Sequence, residues 1–171
     1  MRPTINRQST SGSASYAMTD GVYVLKFRGD VRFTLCASVD RFIQKIFEES
    51  EQACVIIDLL EASAVDSTAL GVLAQIAIHT RRAQDKRPTI LVKSPDMLAV
   101  LKAVSFDKVF HLLPNADAEP EAYRELDAVA SDEKDYTRQV LNAHRNLMAL
   151  SQENRQLFRD VTQALESAAL N

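Results

Sequence analysis

No apolar run in this chain approaches the roughly 18 residues that a membrane span requires. A basic surplus is also absent: Lys and Arg total 20 against 23 Asp and Glu, for a formal net charge of -3. That balance speaks against a nucleic-acid partner, which calls for a basic excess or patch. Cysteine is scarce. Cys36 and Cys54 each sit beside apolar runs and read as reduced, buried thiols rather than a disulfide. Arg2 and Arg7 stand near the N-terminus without a hydrophobic segment of the signal type. These absences lead to the expectation of a soluble cytoplasmic protein with no membrane contact. Catalytic signatures are missing too. Ser67 lacks a G-x-S-x-G elbow, no G-x-G-x-x-G or Walker pattern occurs, and neither cysteine joins a C-x-x-C. His79, His111 and His144 are scattered, with no two at metal-ligand spacing. His79 in a helix and His111 in a strand read as packing or surface residues. The expectation is a non-enzyme with no cofactor and no metal.

What is present is a length of 171 residues and a hydrophobic content of 46%, enough for one core with an appendage. Residues 1–13 read as a flexible tail rich in small polar residues. Thr19-Asp20-Gly21 is a hairpin-type turn signal, and 22–27 (VYVLKF) is a strand by composition. Tyr16 and Met18 supply a short antiparallel neighbour. Gly29-Asp30 is the next break. The segment 31–35 is a strand by composition but also leads into a helix. Ser38 is the expected N-cap of a helix over 39–49, with Val39, Phe42, Ile43, Ile46 and Phe47 as its apolar stripe. Residues 55–60 form an apolar parallel strand, interrupted by Asp58 near its end. A helix over 67–83 turns Leu70, Leu73, Ile76 or Ala77, and Thr80 to the sheet, and Arg81-Arg82 suit its negative end. A strand over 89–92, a helix opened by Ser94-Pro95-Asp96 and a last strand over 109–113 complete the series. Hairpin, then alternating helix and strand, predicts a small α/β sheet with parallel core strands and flanking helices.

Beyond that domain, residues 114–135 hold eight acidic groups against Arg124 and Lys134, a net charge of -6, and read as an acidic linker with a short helix near 123–129. Residues 136–169 contain no Gly or Pro and favour a long C-terminal helix. Val140, Leu147, Asn154, Val161 and Ala168 share one heptad position, and Ala143, Leu150, Leu157 and Ala164 share the one three residues later. Two readings stay open. The seam pairs with a second copy as a coiled coil, Asn154 setting register, or it folds back on its own domain.

The densest chemistry lies at 58–71. A buried strand carries Asp58, a short loop follows, and Asp66, Ser67, Thr68, Ala69, Leu70 and Gly71 open a helix. Asp-Ser-Thr alone reads as ordinary capping. Over roughly residues 14–113, this pattern resembles the STAS domains of the anti-sigma factor antagonist family. The resemblance implies that Ser67 is the phosphoacceptor, Thr68 the alternate acceptor and Asp66 the acid beside it. It implies partner-binding roles for Asp30, Asp58, Asp66, Ala69 and Leu70. Gly29 and Gly71 are structural, Gly71 by letting helix and strand approach. Such a protein binds an anti-sigma factor, often a serine kinase, while its serine is unmodified. The kinase phosphorylates the serine and breaks the complex, and a PP2C-type phosphatase resets it. A Pseudomonas-like branch linking secretion, flagellar and biofilm decisions has similar domains with a C-terminal extension. A partner meeting Asp66 and the acidic run would be basic. The competing reading is an unmodified scaffold that oligomerises through its C-terminal helix.

Overall fold

The computed structural model describes residues 11–116 and 119–171, so most of the expected tail, along with Asp117 of the acidic run, lies outside the described residues. Six strands form one mixed sheet: β1 (Ser13–Thr19), β2 (Val22–Val31), β3 (Cys54–Val65), β4 (Thr89–Leu91), β5 (His111–Leu113) and β6 (Arg124–Glu125), in the order β5-β4-β3-β2-β1-β6. β2 to β5 run parallel, while β1 and β6 pair antiparallel on one side. The helices are α1 (Cys36–Glu49), α2 (Ser67–Gln84), α3 (Pro95–Ala103), the single turn α4 (Phe106–Val109), α5 (Glu133–Leu150) and α6 (Gln152–Ala169).

One face of the sheet supplies Leu25, Phe27, Ile57, Leu59 and Ile90 to the core. Onto it α1 brings Val39, Ile43, Ile46 and Phe47, and Phe42 stacks its ring on Tyr16 at 4.5 Å. The opposite face carries the partners Lys26 and Asp58, with the ring of Tyr123 lying over the Lys26 ammonium at 5.2 Å. The Lys26 ammonium is 2.7 Å from Glu61 and 3.8 Å from Asp58. Burial by itself would lower the Lys26 pKa, but the Glu61 hydrogen bond and the charges of Asp58 and Glu61 raise it on balance.

Several elements differ from expectation. β3 does not stop at Leu60; it continues to Val65 because β2 also runs on to Val31 and offers a partner edge. Gly29, at φ 69°, stands at a register shift in that pair, which lets β2 continue past the expected break. Helix α1 begins at Cys36, fed by a 3-10 turn over Phe33–Leu35, so Ser38 is inside the first turn and caps nothing. Ser94 does cap α3, accepting from the Met97 N–H, with Pro95 in the first turn. Residues expected as a helix near 123–129 include strand β6, whose backbone pairs with Ser15 and Tyr16. Cys36 is buried as expected, and burial pushes its thiol pKa well up, whereas Cys54 is exposed.

The long C-terminal helix is two helices. It breaks at Ser151, whose extended backbone (φ -160°) ends α5 and whose hydroxyl caps α6 by accepting from Asn154. The pair folds into an antiparallel hairpin closed by an Arg145–Glu166 ion pair at 2.9 Å and by the ring of Phe158 edge-on to His144. The coiled-coil seam is therefore divided within one chain. Leu147 is fully buried and Asn154 nearly so, while Leu157 (59% exposed) and Val161 (42%) point outward. Asn154 is engaged within the chain. Its amide donates to the carbonyls of Val104 and Leu147, both at 2.8 Å, tying the hairpin to the end of α3.

Candidate functional site

The site is built where β3 ends and α2 begins. Asp66 is the N-cap: one carboxylate oxygen accepts from the Ala69 N–H at 2.8 Å, the other from the Phe33 N–H at 2.8 Å. Its own N–H donates to the Val31 carbonyl, so Asp66 pins the 3-10 turn to the start of α2. Both carboxylate oxygens are thus engaged in holding the loop, which makes Asp66 a structural acid before it is a contact for anything else. Ser67 follows as the first residue of α2 and is half-buried.

The Ser67 hydroxyl does not face open solvent. It lies 3.1 Å from Nε2 of His144 on α5, and Nδ1 of that ring lies 2.7 Å from the Val140 carbonyl one turn back. A carbonyl oxygen can only accept, so Nδ1 carries a proton; in the neutral ring Nε2 is then the acceptor and the serine hydroxyl donates to it. Asn146 adds a hydrogen bond to the Gly71 carbonyl at 3.2 Å. Tyr136 meets Phe33 edge-on, with ring centres 5.8 Å apart. Helix α5 therefore lies along the first turns of α2 and reaches the 3-10 turn that Asp66 holds.

Gly71 explains how closely the helices cross. A Cβ added there would fall 2.1 Å from the Ala143 carbonyl oxygen, which has no room to retreat because it is backbone. Its role is the approach of α2 to α5, in place of the expected approach to a strand.

Other expected site residues are distributed differently. Thr68, Ala69 and Leu70 are buried. Asp58 is buried on the far face of the sheet, where it accepts from the Leu60 N–H at 2.9 Å and faces Lys26. Its bond to the Leu60 N–H organises its own strand. Asp30 is half-buried at the end of β2 and pairs with Arg32. His111 is exposed, and His79 stacks on Phe47 at 4.7 Å, in keeping with packing and surface roles. Among the described residues no group of three or more His, Cys, Asp or Glu side chains could hold a metal ion, and no helix is long and apolar enough to cross a membrane.

Sequence reasoning missed His144, Ala143, Asn146 and Tyr136 as neighbours of Ser67. A signal for them existed in α2 itself. Ala69, Val72, Ala74 and Ala77 accompany Leu70, Leu73 and Ile76, making the helix apolar nearly all round, and such a helix is covered on two sides.

The STAS domain family model matches residues 14–119. No curated protein matches the chain in sequence. An anti-sigma factor antagonist from Mycobacterium paratuberculosis has a similar fold, with a TM-score of 0.53 and 20% identity over 63% of this chain and 89% of that one. The anti-sigma factor antagonist SpoIIAA in its unphosphorylated form is similar at a TM-score of 0.52 and 17% identity, over 61% of this chain and 91% of that one. The likeness to these two structures is one of fold. The α5–α6 hairpin lies beyond the matched family region.

Proposed function

The chain belongs to the STAS domain family, and from that footing we propose that it is an anti-sigma factor antagonist switched by phosphorylation of Ser67. The observation that carries this reading is the position of Ser67. It is the first residue of α2, directly after a cap residue that is fully engaged, and it is the one hydroxyl of the Ser67-Thr68 pair that is not buried. Unmodified, the protein engages an anti-sigma factor, which on this reading is also a serine kinase, through the surface around Ser67. Phosphate brings close to two negative charges and bulky acceptor oxygens. A contact selected for a neutral hydroxyl then loses its fit through repulsion and desolvation. The positive end of α2 favours the added negative charge. A PP2C-type phosphatase would reverse it. Thr68 is the more deeply buried residue, which makes it the poorer acceptor of the two.

The test is intact mass and binding on the full chain. Incubation with the cognate serine kinase and ATP is expected to add one phosphate, a gain of about 80 Da, and Ser67→Ala is expected to abolish the gain. Anti-sigma factor binding should survive Ser67→Ala and be lost in Ser67→Glu. Equal binding by all three proteins, with no phosphate gained, would leave the unmodified scaffold as the better account.

A further inference from the structure

The surface that Ser67 belongs to is occupied. Helix α5 lays Ala143 across Gly71, His144 against the Ser67 hydroxyl and Tyr136 against Phe33. These contacts define what the face accepts: a helix with a small residue at the crossing point, a hydrogen-bonding side chain beside it and an aromatic two turns earlier. Helix α5 follows strand β6 after the irregular stretch 126–132, a tether of seven residues between the sheet edge and the hairpin.

We propose that the face of α2 from Ser67 to Gly71, with Phe33, is a helix-docking surface whose resident occupant is the chain's own α5–α6 hairpin, and that an incoming partner displaces the hairpin with a helix of the same character. The inference rests on the proposed role of Ser67 and adds its regulation. With Nε2 of His144 3.1 Å from the hydroxyl oxygen, a phosphate on Ser67 must break this contact with the seated hairpin. Modification at Ser67 and seating of α5 therefore oppose each other, and lifting of the hairpin opens the serine fully to a kinase. Partner, kinase and hairpin compete for one site, so the strength of the hairpin contact sets the threshold for all of them.

Hydrogen exchange on the full chain tests the displaceable cover. Amides of α5 and α6 are expected to exchange together and ahead of those in β2 and β3. Ser67→Glu is expected to speed the hairpin amides by about tenfold or more while sheet amides keep their protection. Hairpin and sheet exchanging as one unit, or both accelerating equally in the variant, would overturn the proposal. A second arm uses a fluorescent peptide spanning residues 131–171. Ala143→Leu in the full chain crowds the crossing at Gly71 and loosens the resident hairpin. The wild-type peptide should then bind that variant at least about tenfold more tightly than the unaltered chain. Equal binding to both would count against a helix-docking face. An open hairpin with no anti-sigma factor bound would refute the functional reading alone. A phosphorylated Ser67 under a hairpin that never opens separately would refute this inference alone.

Discussion

Asn154 shows what a single polar side chain does in this molecule. A position that fits a coiled-coil seam instead places an amide where it satisfies two backbone carbonyls of the same chain and receives the Ser105 hydroxyl at 3.3 Å. Asn154→Leu leaves those carbonyls buried without donors, and the expected loss is about 2–3 kcal/mol in denaturant unfolding. Asn154→Asp should cost at least as much, since it replaces the donor with an acceptor. His79 gives a pH prediction of the same scale. Desolvation against Phe47 and then the charge of Arg82 lower its pKa below the ordinary 6.5. On acidification the unfolded chain takes up this proton first. The stability tied to neutral His79 is therefore complete above about pH 6.5 and lost as pH falls through the lower folded value. His79→Phe keeps a ring over Phe47 without a titrating site. Urea midpoints compared at neutral and mildly acidic pH should fall less in the variant than in the parent chain.

Helices α2 and α5 act as one element pair whose spacing is fixed at Gly71. In an isolated helix Gly71→Ala would gain up to about 1 kcal/mol of propensity. Here the added methyl meets a backbone carbonyl, and overpacking of this kind costs about 1–3 kcal/mol. The expected outcome is a net loss with its largest effect on exchange in α5 and α6, measured residue by residue. Leu147→Ala, which empties a fully buried site in the hairpin, should cost about 2–5 kcal/mol. Small residues keep this crossing tight along α2: Gly71 meets Ala143, and Ala77 lies beside Ala149 and Leu150.

For the whole molecule, the hairpin favours a monomer over a coiled-coil dimer. Its best apolar residues, Leu147 and Phe158, are spent inside the chain, and the outward pair Leu157 and Val161 is too small a patch to hold a stable dimer. The full chain is expected to sediment as a monomer, and the double variant Leu157→Glu, Val161→Glu is expected to leave both its mass and its unfolding midpoint unchanged within about 0.5 kcal/mol. The sequence alone was enough to determine the alternation of strands and helices, the apolar stripe of α1, the proline-started α3 and the Asp66-Ser67 opening of α2, because each rests on local periodicity and capping. It could not determine the extension of β3 to Val65, the strand at Arg124–Glu125 or the break at Ser151. Strand length and helix ends there depend on a partner edge or a docking face contributed from far along the chain. Nor could it show that His144, 77 residues from Ser67, supplies the hydroxyl's partner. Only burial of the second face of α2 brings the two together, and the driving force for that burial is the apolar area left uncovered once the sheet has taken its side of the helix.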